Sequence, residues 1–358
     1  MRPHDDIEEA VRRRTGPGGC PGMVVGLWHD DGAEIIAAGT VEAGSVFELG
    51  SITKGLTGVL LALMAEAGEA RLDETVAGVL AGRLPAGPFA EATTLLDLAT
   101  HRSGLPAMPP ELEAVDLEAP HPDWTADAMY RFLTGFTAPA GGGTLYSNLG
   151  FALLGHCLSV RAGWSFSELL QARVLDPLGM AATSFDPTSG AAAIGGHGPD
   201  GEPRSAWIMP EAMRGAGGLH GPAGDLLRLV AASVEPPDTA VGRALREAQR
   251  PHRPYSGARE IGLGWEINYG FPPDVFVGKG GLTAGFSANL AVAPTRREGV
   301  VVLTNAHQCV ADLTLFAFDR RFGLHPEPCW EPAFLAPPLW YGGPADPAAA
   351  NDKASGAC

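Results

Sequence analysis

Phe47-Glu48-Leu49-Gly50-Ser51-Ile52-Thr53-Lys54 opens with a short β-like run, passes a glycine and enters a long apolar-periodic stretch, residues 52–67. That stretch lacks proline and is rich in Leu and Ala, which predicts a buried helix. A helix advances about 100° per residue, so Ser51 and Lys54 share one face. Ser51 would stand at the helix start, where unpaired N–H groups and the positive dipole end favour an oxyanion. Lys54 would lie one turn deeper. A lysine stripped of water holds its proton weakly and can take one from a hydroxyl. A capping serine beside a lysine reaching for solvent fits the same residues, and S-x-x-K by itself is a common pattern.

Before this stretch, residues 5–14 read as an amphipathic helix. Residues 23–29 (MVVGLWH) and 34–40 are β-rich and flank Asp30-Asp31-Gly32, a hairpin signal. After it, residues 70–190 read as helices and loops, with short helices over 94–100, 149–161 and 166–174. Asp176-Pro177-Leu178-Gly179-Met180 is a helix stop. Residues 105–123 are a Pro-rich loop, a candidate rim or lid. Residues 187–222 are Gly-rich and irregular. A helix then starts at 223–230, with Asp225 in its first turn. Four β-like runs follow, at 262–267, 275–277, 285–293 and 299–305, and a closing helix at 310–322.

The layout predicts an α+β fold in which the N-terminal hairpin joins the C-terminal strands in one antiparallel sheet flanked by helices. The sheet lobe comprises 1–55 and 190–324. Residues 56–189 form an inserted all-helical lobe, and 325–358 a Pro/Ala-rich tail. A cleft between lobes is the expected place for a site.

Two further constellations could face that cleft. Tyr146-Ser147-Asn148 follows Gly141-Gly142-Gly143 and precedes a helix. A tyrosine at a loop tip can point its phenol into a cleft, and a nearby lysine would lower its pKa and make it a proton shuttle. Asn148 offers a donor and an acceptor, suited to a substrate amide or the lysine head; it could equally cap the next helix. Lys279-Gly280-Gly281-Leu282 lies in a β-like run. Its glycines allow close approach of a ligand to the backbone, and an open strand edge could hydrogen-bond substrate.

The bulk properties exclude several classes. The 358 residues carry a formal net charge of -16, which repels a phosphate backbone or an anionic membrane surface. No run reaches the roughly 20 apolar residues of a spanning helix. The start, MRPHDDIEEAVRRR, has charge but no apolar run behind it, so a cytoplasmic location is expected. The five cysteines are scattered, and the histidines lack metal-type spacing. Neither a metal nor a cofactor is expected. The expected partner is a small-molecule or peptide-like substrate that could carry an anionic group.

Together, the three motifs resemble in order and spacing the S-x-x-K, Y-x-N and K-T-G elements of the serine β-lactamase and penicillin-binding-protein superfamily. The resemblance is closer to class C β-lactamases and their esterase, D-aminopeptidase and carboxypeptidase relatives. Phe47 to Ser51 with Lys54 and Gly58 is similar to their nucleophile segment. Residues 95–100 with Ser103-Gly104-Leu105-Pro106, then Tyr146 to Gly150, Gly217-Gly218-Leu219 and Leu303-Thr304-Asn305, are further family-like stretches. The resemblance implies a β-lactamase-like fold over residues 23–322. It implies that Ser51 is acylated, that Lys54 and Tyr146 share the base and acid roles, and that the N–H groups of Ser51 and Leu282 form an oxyanion hole. Asn148 and Lys279 would orient substrate, alongside Gly281.

Three features depart from the β-lactamase pattern. Gly280 stands where Thr usually helps hold a β-lactam carboxylate. Leu282 replaces a small Ser or Ala, and no secretory leader is evident. Lys279, in contrast, is kept where many esterase-type relatives carry His or Trp. The expected function is therefore an acyl-enzyme hydrolase acting on an ester or amide, or a transacylase passing the acyl group to an amine or alcohol. A true β-lactamase or D-Ala carboxypeptidase is the alternative, and a non-catalytic binding protein the remaining one.

Overall fold

The computed structural model describes residues 5–15, 19–85, 87–109, 124–139, 143–186, 194–308, 310–320 and 324. Strands β1 (Gly22–His29) and β2 (Gly32–Gly39) form the expected hairpin, turning at Asp30-Asp31. β1 then pairs with β12 (Glu298–Thr304), in register Met23↔Thr304 through Trp28↔Gly299. β11 (Ser287–Ala293) and β10 (Asp274–Leu282) continue the sheet, followed by β9 (Glu266–Phe271), β8 (Arg259–Ile261) and β7 (Arg253–Ser256). The result is an eight-stranded antiparallel sheet in the order β2-β1-β12-β11-β10-β9-β8-β7, while the two-residue strands β3 (Phe47–Glu48) and β6 (His220–Gly221), and β4 (Gly196–His197) and β5 (Pro203–Arg204), pair outside it.

Alternation along the central strands sorts their side chains to two cores. Met23, Val25, Ala291, Val300 and Val302 pack with Ile7, Val11, Leu313 and Phe318 of the terminal helices Asp5–Arg14 and Ala311–Phe318. Val24, Leu290, Val292, Val301 and Leu303 pack with Ile52, Leu56, Leu226 and Val230 on the opposite face. Strands covered on both faces read as unbroken apolar runs, and β11 is buried at every position.

Some elements lie outside the sequence reading. β10 extends well past the 275–277 run, because its glycines mask a strand that backbone pairing with β11 holds in place. β7 and β8 are too short and polar to announce themselves. Helices Ala126–Gly135 and Ala240–Ala248 were also unread. Most of the Pro-rich loop, residues 110–123, lies outside the described residues, as does the tail. Among the described residues no helix is long and apolar enough to cross a membrane.

Two details of the frame place the site. β9 begins at Glu266, opposite Gly278, so Lys279 to Leu282 of β10 have no strand partner on that side among the described residues. The helix Asn148–Ala162 is capped by Ser147, whose Oγ accepts the Gly150 N–H at 2.8 Å, so Asn148 is not the cap.

Candidate active site

The helix predicted after Ser51 runs Ile52–Glu66, and Ser51 is its N-cap residue. Its side chain makes no capping bond. Lys54 is fully buried rather than reaching for solvent. Both observations set aside the capping-serine reading. Instead Ser51 Oγ lies 2.8 Å from Lys54 Nζ and 2.7 Å from Tyr146 Oη. Lys54 Nζ also donates to the Ala216 carbonyl at 2.6 Å. Burial, and secondarily the neighbouring charge of Lys279, hold the Lys54 amine well below the ordinary lysine range. That is the condition for a neutral amine beside a hydroxyl.

Tyr146 departs from expectation. Its pKa is raised, not lowered, because desolvation of the phenol outweighs the hydrogen bond from Ser51, and the carboxylate of Glu266 adds to the rise. At rest it is a phenol that can donate a proton, not a phenolate. Two lysine nitrogens nevertheless face its ring, Lys54 Nζ at 5.1 Å and Lys279 Nζ at 5.3 Å from the centroid, and either one, when protonated, counters charge there. They are placed to stabilise negative charge that develops on its oxygen.

The backbone of Leu282 reaches Ser51 through two glycines. Gly50 has φ +50, and a Cβ there would lie 2.7 Å from the Leu282 amide nitrogen. A Cβ on Gly281 would lie 2.9 Å from the Ser51 amide nitrogen. The Thr283 N–H bonds the Phe286 carbonyl, and antiparallel bonding alternates. Gly280 and Leu282 therefore turn their N–H and C=O groups away from β11, toward the open edge beyond Glu266. The amide nitrogens of Ser51 and Leu282 thus lie on either side of the close approach between Gly50 and Gly281.

Lys279 is buried, with Nζ 3.4 Å from Glu266 Oε1. Gly280 is exposed on the neighbouring face, and Leu282 is half-buried. Asn148 is half-buried at the start of its helix, its N–H bonded to the Ala107 carbonyl. Among the described residues no bond joins its side chain to Lys54, one of its two expected uses. Of the residues singled out from sequence, Ser51, Lys54 and Tyr146 meet in direct contact. Gly281, Leu282 and Lys279 border them.

Sequence reasoning missed the part that four residues play. The Ala216 carbonyl that receives Lys54 carries no side-chain signal at all. Glu266 and Arg259 form an ion pair behind Lys279. His101 holds the Tyr146 loop: Nδ1 accepts the Ser147 N–H at 3.1 Å, and its ring lies 4.5 Å from the Tyr146 ring. Burial keeps it neutral, with its pKa well below the usual histidine value. Its φ of 57, rare for a non-glycine residue, marks the strained turn that aims it.

The sequence pattern of the Beta-lactamase family matches residues 7–315. The chain belongs to the β-lactamase family. A β-lactamase of Pseudomonas fluorescens is 24% identical over 298 residues, covering 73% of this chain and 79% of that protein. Penicillin-binding protein 4 of Amycolatopsis lactamdurans is 29% identical over 209 residues, 53% of this chain. That match spans 52% of the penicillin-binding protein, about half its length. The crystal structure of a class C β-lactamase from Rhodobacter sphaeroides superposes with a TM-score of 0.72 at 26% identity, covering 84% of this chain and 93% of that one. This β-lactamase family member is an enzyme of the serine-hydrolase type, with the α+β, β-lactamase-like fold expected from its motifs.

Proposed function

We propose that the chain is a serine acyl-enzyme hydrolase in which Ser51 is the nucleophile. The observation that carries this reading is the 2.8 Å approach of Ser51 Oγ to a fully buried lysine amine. The Ser51 proton passes to Lys54 Nζ as Oγ bonds the substrate carbonyl carbon. The carbonyl oxygen becomes an oxyanion between the N–H groups of Ser51 and Leu282. The tetrahedral species collapses, and the leaving group departs with a proton delivered through the Tyr146 phenol. Water, or an amine or alcohol acceptor, then attacks the acyl-enzyme, gives up its proton along the same path and regenerates Ser51. Asn148 and Lys279 orient the substrate along the open β10 edge.

An ester or amide of the esterase or peptidase type is the donor we favour. Gly280 supplies no hydroxyl for a ring carboxylate, and Leu282 brings an apolar side chain to the rim. A second reading, β-lactam or D-Ala peptide hydrolysis, is supported by the retained Lys279 and by the names of the relatives.

Intact mass after treatment with a fluorophosphonate, and separately with labelled penicillin, tests both readings, with Ser51→Ala as the control. An adduct of one phosphonyl group lost in Ser51→Ala is expected. Absence of any adduct under all conditions removes the nucleophile assignment. An adduct with phosphonate and none with penicillin separates the first reading from the second.

A further inference from the structure

The site holds two buried lysines that face one tyrosine ring, and only one of them can be the base. Their surroundings differ in one respect. The Lys54 amine meets the Ser51 hydroxyl and a carbonyl, at 2.8 and 2.6 Å, and among the described residues no carboxylate bonds it. Lys279 meets the carboxylate of Glu266 at 3.4 Å. The other oxygen of Glu266 accepts from Arg259 Nη1 at 2.9 Å. Arg259 is itself buried, its guanidinium 4.8 Å from the Tyr255 ring centroid. Successive short strands β8 and β9 thus deliver an Arg–Glu pair whose free side ends on Lys279.

We infer that Glu266, braced by Arg259, is a positioning residue that decides which lysine keeps its proton: it holds Lys279 as the ammonium and thereby leaves Lys54 to be the neutral base. This rests on the acyl-enzyme reading above. Two like charges that face one ring compete to hold a proton, and the less compensated member is the easier to deprotonate. The groups facing the pair are Ser51 on its helix, Tyr146 on the loop before Asn148, His101 beyond helix Leu95–Ala99, Tyr255 on β7, Arg259 on β8 and Glu266 on β9. Among these described residues Glu266 is the one carboxylate. His101 is kept neutral by burial, and both tyrosines are raised by desolvation, so none of these can take over its role.

Removing the carboxylate makes Lys279 the less compensated amine. It then gives up its proton first and Lys54 retains one. Lys54 becomes a base only after a second deprotonation, at higher pH. The proposed test is the pH dependence of Ser51 phosphonylation by an uncharged fluorophosphonate, in wild type, Glu266→Gln and Glu266→Asp. We expect the acid limb of Glu266→Gln to move up by about one pH unit or more, which at the limb is a tenfold or greater loss of rate. Glu266→Asp should keep a limb near that of wild type. A limb that stays in place with the rate lowered equally at all pH overturns the inference, as does a downward move. Failure of wild-type Ser51 to react at all would instead remove the acyl-enzyme reading. Should Glu266→Gln not fold, Arg259→Gln is read in the same way: it unbraces the carboxylate, and its limb should move up by a smaller step; an unmoved limb counts against the inference.

Discussion

Gly281 runs so close to Leu49 that a Cβ on the glycine would stand 2.0 Å from the Leu49 carbonyl oxygen. No rotamer change relieves a clash with backbone, so Gly281→Ala must push β10 away from the Ser51 turn. The Leu282 N–H moves with it. Loss of one oxyanion donor costs about 100-fold or more in rate. We expect a fall of that size in single-turnover acylation of Gly281→Ala, with the fold retained by circular dichroism. A variant acylated at the wild-type rate would remove Leu282 from the oxyanion site.

Gly280 presents the opposite case. A Cβ there would meet nothing nearer than the Ala288 carbonyl at 3.9 Å. Gly280→Thr should fold normally and add a hydroxyl at an exposed position next to Lys279. A hydrogen bond to a charged group contributes about 1.5–3 kcal/mol, roughly 10-fold or more in affinity. Penicillin acylation of Gly280→Thr should rise by that order, while an uncharged ester gains nothing. Equal changes for both substrates would show that the hydroxyl does not see a carboxylate.

Lys54 should leave its mark on stability as well as on rate. Its folded-state pKa lies below the ordinary value of 10.5, chiefly through burial. Between the lowered value and 10.5 the unfolded chain binds the extra proton, so unfolding is favoured at low pH and stability rises as pH rises. Lys54→Met lacks this dependence. The melting temperature of wild type relative to Lys54→Met should therefore climb with pH through that window. A difference independent of pH would mean that Lys54 keeps its proton when folded. The same variant should lose several orders of magnitude in acylation.

His101 holds the Tyr146 loop through the Ser147 N–H. In His101→Leu that N–H is buried without an acceptor, which costs about 1–3 kcal/mol. We expect a lower melting temperature and slower acylation together. His101→Asn, which tolerates the left-handed backbone and offers an acceptor, should recover part of both. Slower acylation with unchanged stability would point to a direct role for the imidazole.

Much of the site was legible because its signals are local. Ser51 and Lys54 are one helical turn apart, so their shared face follows from helix geometry alone. Tyr146 and Lys279 lie 95 and 228 positions beyond Ser51 in the chain. They were found as motifs, not as geometry, and their meeting at Ser51 could be read only through resemblance. The strand signal of β10 faded at its glycines, which are the residues that let it approach Leu49. Arg259 and Glu266 went unread because each sits on a short strand, and nothing in either stretch announces the other.

The residue order by itself determined the chemical types present: a hydroxyl, an amine one turn away, a phenol, and a glycine-bearing lysine strand in an α+β layout. These depend on covalent structure and local periodicity. The tertiary structure alone decided their charge states. Desolvation of Lys54, the upward push on the Tyr146 phenol and the pairing of Lys279 with Glu266 all arise from burial and from partners distant in the chain. A pKa is a property of surroundings, and surroundings exist only once the chain has folded.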